Sequence, residues 1–501
     1  MGKRYSTVIL LAGLLLCLGF SAQKMLLDIP KTWDMEEIKR FHLPPPDTSV
    51  IIEYVPEATY YSLDEHRIYK TFPVYIREHE PPGYLDSLKE LSPELIDFSK
   101  LSTQEDWIAA GKAVYYWPVD QRAVSPRGQF LDSSVISMIG IETTPEGIVP
   151  YTQYTRTPEG LRQGGQSCAS CHTGIVNGKV YDGIQGDFPF DRLFGYIREK
   201  FDIPYNESGV KSLTITPWIE ERVNWMSDSS SQLEFLKAIP PGVMVRQGFA
   251  YNYPLAVPSL VGIKDIKYLD HTGLMRHDNI GDLMRYAAFN QGLDMLTSYN
   301  GYIPMRGFNS HDEITADSPW SHPFGNVNKR YSDAQLFALA KYIYSLEAPE
   351  NPQKFPQELL NKGKTVFNRE GCVTCHPPPF YTNNQLLPAT GYEPSASDFE
   401  KYDIFNISVE TDSVTTLYTR RGTGFYKVPS LRGAWMRQAF FHNGNLSRME
   451  DVLDPQRLED DYIPTGFKPA TKETMAVKGH PFGMQISEEE KEALLAYLKS
   501  L

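Results

Sequence analysis

Cys168-Ala169-Ser170-Cys171-His172 and Cys372-Val373-Thr374-Cys375-His376 are the two stretches on which the reading of this 501-residue chain turns. Each is a CxxCH, the attachment signal for a c-type haem. Two thiols two residues apart add to the two vinyl groups of one porphyrin, and the imidazole of the next residue swings beneath the ring to bind iron. A dithiol redox pair and a zinc site built from all four thiolates use cysteines at the same spacing. Neither needs a histidine after the second cysteine of both motifs. The chain is therefore expected to carry two covalent haems c, held by Cys168, Cys171, Cys372 and Cys375, with His172 and His376 as proximal iron ligands.

The rest of the chain agrees with that use of cysteine. The fifth, Cys17, lies in the apolar run Val8–Phe20, which comes after Lys3 and Arg4 and precedes the small residues Ser21 and Ala22. That is the pattern of an export signal over residues 1–22. The run is shorter than the ~20 apolar residues of a membrane-spanning helix. The pattern implies a periplasmic or secreted protein, with no integral membrane segment after cleavage. Apolar residues make up 41% and charged residues 22%, ordinary for a folded chain. The net charge is −13, which argues against a nucleic-acid partner, because phosphate neutralisation needs Lys and Arg.

The chain beyond the signal carries an internal repeat. Val257-Pro258-Ser259-Leu260 recurs as Val428-Pro429-Ser430-Leu431, and the same offset carries Gly262 to Gly433, His271 to His442 and Gly273 to Gly444. Ser332-Asp-Ala-Gln335 and Ser487-Glu-Glu-Glu490 both read as capping boxes, each opening a segment with helical apolar spacing that closes on Tyr-x-x-Ser-Leu. These marks divide the chain into a signal (1–22), an irregular N-terminal region of unknown role (23–159), a first haem domain (160–350) and a second (355–501). Glu347–Pro356, with three prolines, is the linker. The fold class is mainly α.

Tyr426-Lys427-Val428-Pro429-Ser430-Leu431-Arg432-Gly433, with Phe441-His442-Asn443-Gly444 shortly after it, resembles the signature near the C-terminal haem of the bacterial diheme cytochrome c peroxidase superfamily. That group includes peroxidases, diheme maturation enzymes and rubber oxygenases. The tail Gly479-His480-Pro481-Phe482-Gly483 is most similar to the rubber-oxygenase branch. The resemblance covers about residues 160–501. It implies two cytochrome c-type domains packed face to face, one haem moving electrons and the other meeting peroxide or dioxygen.

Axial ligands decide the division of labour, since an iron with an open face can bind a small oxidant. For the His376 haem the distal candidates are His480, His442, Met449, Met475 and Met484. In the resembling peroxidases a Met just before the final helix takes this place, and His480 stands near it. His442 is also read as a partner of a propionate or of backbone. Arg432 is read either as a propionate partner or as a surface charge, and Trp435 either as an electron relay or as core. In the peroxidases a loop His about sixteen residues after the first proximal His caps that haem. Here Tyr181–Phe190 contains none, so Phe188 and Phe190 are read as an aromatic wall over an open iron or as ordinary core. His271 replaces the inter-haem Trp of the peroxidases. It is read as a ligand, a proton shuttle, a propionate partner or a satisfied core histidine. A calcium ion, found between domains in some relatives, is also allowed, although no dense carboxylate loop calls for it.

The expected function is an exported diheme oxidoreductase. It would activate dioxygen or peroxide at the His172 haem, with Phe188, Phe190 and His271 around the reacting site, and handle electrons at the His376 haem. Its partner would be a small redox protein or a small-molecule or polymer substrate. The alternative is a non-catalytic periplasmic electron carrier with both haems six-coordinate, which a hidden ligand such as His271 would favour.

Overall fold

The computed structural model describes residues 28–124, 132–200, 229–245, 253–291, 296–301 and 329–501. The expected signal lies outside them. Among the described residues no helix is long and apolar enough to cross a membrane. Helices and several small sheets make up the chain, in keeping with a mainly α class.

Two helix pairs carry the architecture. Both expected capping boxes form: Ser332 with Gln335 opens α3 (Asp333–Tyr344), and Ser487 with Glu490 opens α6 (Glu488–Lys499). α3 packs across α1 (Gln104–Tyr116), and α6 packs across α4 (Gln357–Arg369). At both crossings the backbones nearly touch. A Cβ on Gly111 would lie 2.0 Å from the Ala338 carbonyl oxygen and 2.7 Å from Tyr342 Cβ. A Cβ on Gly363 would lie 2.0 Å from the Ala493 oxygen and 2.7 Å from Tyr497 Cβ. Glycine alone leaves room for this approach. Beside the crossings, the Tyr115–Tyr342 rings sit 5.3 Å apart at 66°, and the Phe367–Tyr497 rings 5.4 Å apart at 66°.

α1 belongs to the stretch expected to be an irregular N-terminal region, so a division at residue 160 would part α3 from the helix it packs on. The packed helix pair reaches back to Thr103, whose side chain caps α1. The two units differ by an intervening sheet. In the second unit only Glu370 and Gly371 separate α4 from the short helix α5 (Cys372–Cys375). In the first, α1 is separated from α2 (Cys168–His172) by three strands of a four-stranded antiparallel sheet. The sheet has the order β1 (Thr71–Tyr75), β3 (Ile148–Thr157), β4 (Gly160–Gly164), β2 (Arg122–Ala123). Tyr154 pairs with Phe72 on one side and Gln163 on the other. One face buries Val74, Val149, Tyr151, Tyr154 and Leu161.

The N-terminal segment also wraps the first unit. Trp33 is fully buried, stacked on Tyr60 at 4.6 Å and set against Phe289 at 5.0 Å, with its indole N–H donating to the Val55 carbonyl at 2.8 Å. Ile52–Tyr54 pairs with Thr297–Tyr299, and Asp64–Glu65 with Lys329–Arg330. Burying three aromatic rings contributes several kcal/mol at roughly 1.5–3 kcal/mol per large side chain. The Pro- and aromatic-rich composition of this region therefore reflects a built core rather than a loose arm.

Candidate functional site

In the second unit α4 ends at a left-handed turn on Gly371 (φ 76°), which redirects the chain into α5. His376 comes immediately after α5, and its Nδ1 donates to the Tyr381 carbonyl at 3.0 Å. Because the partner is a carbonyl, Nδ1 carries the proton and Nε2 presents its lone pair, the tautomer a metal requires. The Pro429 carbonyl, from the second Val-Pro-Ser-Leu, also faces this ring. Burial first, then Arg437, push His376 down to about 4 against the Tyr381 bond, so the imidazole is neutral near pH 7.

His480 faces it. The imidazole is delivered by a tight turn in which Gly479 (φ 98°) and His480 itself (φ 52°) are left-handed. Left-handed backbone at a non-glycine residue is uncommon and has to be held in place by its surroundings. Arg457 holds it. Its guanidinium is fully buried, donates to the carbonyls of Val477, Gly479 (2.7 Å) and His480 (3.0 Å), and lies over the Phe441 ring. Burial, then the nearby His376, push His480 down to about 4, and its Nδ1 has no hydrogen-bond partner.

Cys372, Cys375, His376 and His480 line one cavity of about 490 Å³, walled by apolar side chains such as Leu431, Phe441, Phe482 and Leu494. Three cationic side chains share its wall, Lys427, Arg432 and Arg437. Burial pushes Lys427 down to about 8 against the pull of Asp270, and pushes Arg437 down to about 10. Arg437 donates to the Ser430 carbonyl. Paired thiols, two neutral imidazoles, apolar walls and cations are residues that fit a haem, whose plane is apolar and whose propionates are anionic. Cys372 and Cys375 form no disulfide, and among the described residues no group of three or more His, Cys, Asp or Glu converges on a point. The four-thiolate zinc alternative and a calcium ion thus find no ligand cluster there.

The remaining expected residues fall in different places. His442 lines the same cavity, but its ring is stacked on Tyr426 at 4.5 Å and its Nε2 sits 3.3 Å from the Tyr426 hydroxyl. Arg432, read as a propionate partner, is instead spent across the two halves. Its Nη2 reaches the Gly262 carbonyl and Asp265 at 3.0 Å each, because Asp265 supplies the anion it needs. Trp435 packs with Ile184, Val261 and Met436, the core alternative.

His271 also lines the cavity around Cys372, with Nε2 donating to the Ala256 carbonyl at 2.7 Å. Phe188 stacks on Tyr151 at 4.7 Å against the sheet core, as its core alternative had it, and Phe190 is 37% exposed.

The first motif mirrors the second on its proximal side. His172 Nδ1 donates to the Pro258 carbonyl at 3.0 Å, the first Val-Pro-Ser-Leu doing for His172 what Tyr381 and Pro429 do for His376. The loop after it closes beneath α2, with Gly183 N bonded to the His172 carbonyl and Gly186 N to the Cys171 carbonyl. Residues 201–228 and 302–328 lie outside the described ones, so this site is known from its proximal side. Gln185 ties the loop to the second half. Its Nε2 donates to the Val257 and Ala439 carbonyls at 3.0 Å, and its Oε1 accepts from the Gln438 and Ala439 amides at 2.8 Å.

Sequence reasoning missed Arg457, Lys427, Arg437, Gln185 and the two proline carbonyls. Only the prolines had a signal, the repeated Val-Pro-Ser-Leu.

Among solved structures, the chain is similar to hydrazine synthase of Kuenenia stuttgartiensis, at 14% identity over 60% of this chain and 88% of that one, with a TM-score of 0.30. It is similar to a MauG-like protein associated with microbial copper homeostasis, at 16% identity over 60% and 90%, TM-score 0.30. It is also similar to the diheme peroxidase BthA from Burkholderia thailandensis E264, at 14% identity over 82% and 90%, TM-score 0.26. Likeness at this level does not by itself define a shared fold. No family model and no curated protein matches the chain.

Proposed function

We propose that this chain is an exported diheme c-type oxidoreductase. The observation that carries the reading is the cavity in which Cys372, Cys375, His376 and His480 converge, together with the carbonyl bond that orients the proximal imidazole of both motifs. Bound there, a haem supplies one-electron chemistry. His376 and His480 would hold it through their imidazole nitrogens, and two histidines would set a lower potential than His/Met ligation, as suits electron transfer. Arg457 keeps His480 in place, and Lys427 and Arg437 are the cations that would meet the propionates.

The His172 haem is the site for dioxygen or peroxide. Its support is the loop after the motif, which carries no histidine and is fixed by backbone bonds. The placement of His271 in the other cavity removes the residue that most favoured a carrier with two capped irons. Ala256–Pro258 lines the second cavity while its Pro258 carbonyl holds His172, so this segment would link the two haem sites. The substrate class is a small redox protein, a small molecule or a polymer.

Haem-stained gels of Cys168→Ala and Cys372→Ala test the attachment, each variant being expected to lose one haem; an unchanged haem count overturns the reading. Visible and EPR spectra test the roles. One low-spin bis-His centre and one that responds to peroxide or carbon monoxide are expected. Two low-spin centres inert to both ligands in every redox state would leave only an electron carrier.

A further inference from the structure

Two tyrosines converge on one acid beside the first motif, and a third lies between them. Tyr116 donates to Asp182 Oδ1 and Tyr342 to Asp182 Oδ2, and Thr173 Oγ1 adds a third bond to Oδ1 at 3.0 Å. Tyr115 lies between the two, its ring 5.4 Å from Tyr116 and 5.3 Å from Tyr342. Its hydroxyl donates to the backbone carbonyl of His172 at 2.6 Å. Lys112, mostly in solvent, comes within 3.6 Å of Asp182 Oδ2 and marks where the cluster meets the surface. Three hydroxyls thus donate to one carboxyl, with an ammonium close by. Burial and the charge of Asp182 keep the three phenols protonated.

The second unit supplies an internal control. Its helix crossing has the same geometry, with Phe367 and Asn368 where the first unit has Tyr115 and Tyr116, and Tyr497 where it has Tyr342. Tyr497 there meets only the hydroxyl of Tyr381, at 3.2 Å. Packing alone is thus satisfied by a phenylalanine, an asparagine and no carboxylate. The hydroxyls and the acid are found only beside the haem read as meeting an oxidant.

We propose that Tyr115, Tyr116 and Tyr342, with Asp182 as the base, form a redox relay that draws oxidising equivalents from the His172 haem toward the surface at Lys112. The proposal rests on the reading of that haem as the peroxide or dioxygen site. A hydroperoxide supplies the oxidising equivalents. Tyr116 gives one electron, by way of Tyr115, to the oxidised haem, which is reduced by one electron. The Tyr116 O–H bond breaks, and its proton passes along the existing hydrogen bond to Asp182, leaving a neutral phenoxyl radical. A one-electron donor at the surface returns the electron, and Asp182 returns the proton. Tyr342 offers the same chemistry through Oδ2. Tyr115 is a bridge rather than a stopping place, because its hydrogen-bond acceptor is a neutral carbonyl that cannot hold the proton.

Freeze-quench EPR of the haem-loaded protein with one equivalent of hydrogen peroxide tests this, with the haem absorption recorded on the same sample. The native chain is expected to give a tyrosyl signal. Tyr116→Phe/Tyr342→Phe loses it, Asp182→Asn forms it at least tenfold more slowly, and Tyr497→Phe keeps it. Where the double variant loads less haem, Tyr116→Phe alone is read per haem, and its signal is expected to fall by half or more. A haem that responds to peroxide with no tyrosyl signal, or with one that survives the double variant, overturns the relay alone. A haem spectrum unchanged by peroxide overturns the proposed function and the relay with it.

Discussion

At the residue scale, the chemistry of the second cavity depends on side chains that hold other side chains. Arg457 touches no haem-facing atom, yet it bonds three carbonyls of the turn that presents His480. Arg457→Ala leaves those buried carbonyls unpaired. At about 1–3 kcal/mol for each orphaned group, it is expected to cost at least about 3 kcal/mol in urea unfolding. The same variant is expected to convert the bis-His centre to high spin, which EPR reads separately from stability. The buried imidazoles set the acid limit. His66 and His271 are each pushed down to about 4 from 6.5, chiefly by burial. Below 6.5 the unfolded chain takes up protons that the folded chain refuses. Their contribution is therefore full above about pH 6.5 and is lost as the pH falls toward 4. Asp191, pushed up to about 7 by burial, acts with the opposite sign, but two imidazoles outnumber it. Thermal midpoints measured by circular dichroism are expected to fall steadily from pH 6.5 to 4.5.

At the element scale, the two helix crossings decide whether the units form. Gly111→Ala and Gly363→Ala each drive a methyl to 2.0 Å from a carbonyl oxygen, and the obstacle is backbone rather than a flexible side chain. Overpacking of this kind costs about 1–3 kcal/mol or more. Each variant is expected to lower the thermal midpoint, with the damage reported by the haem of its own unit. The capping boxes were legible because the Ser-x-x-Glu/Gln pattern is local. The partner of α3 was not. α1 lies far upstream, and its Gly111 reads in sequence only as a weak helix former. The inserted sheet hid the spacing that, in the second unit, places α4 directly before its CxxCH.

At the scale of the whole molecule, Gln185 is the joint. A single side-chain amide, 6% exposed, makes four hydrogen bonds, one to Val257 in the first half and three to the backbone of Gln438 and Ala439 in the second. Gln185→Leu fills the space and satisfies none of them. It is expected to cost about 2–4 kcal/mol and to speed hydrogen exchange at the Gln438 and Ala439 amides. Exchange unchanged at those two amides would show that the halves are held elsewhere, for instance by Arg432 on Asp265.

The sequence by itself determined the two CxxCH motifs on which the proposed haem attachment rests: four thiols and two imidazoles at a local spacing, readable without a fold. It also determined the repeated closing helices, because caps and apolar periodicity act within one or two turns. Which residues face each motif was decided only by the tertiary structure. His271 belongs to the second cavity, Phe188 to the sheet, Arg432 to Asp265, and Tyr116 and Tyr342 to Asp182. These partners lie tens to hundreds of positions apart in the chain. A side chain's role depends on which surfaces the packed backbone brings within about 3 Å for a hydrogen bond, and local pattern does not record that.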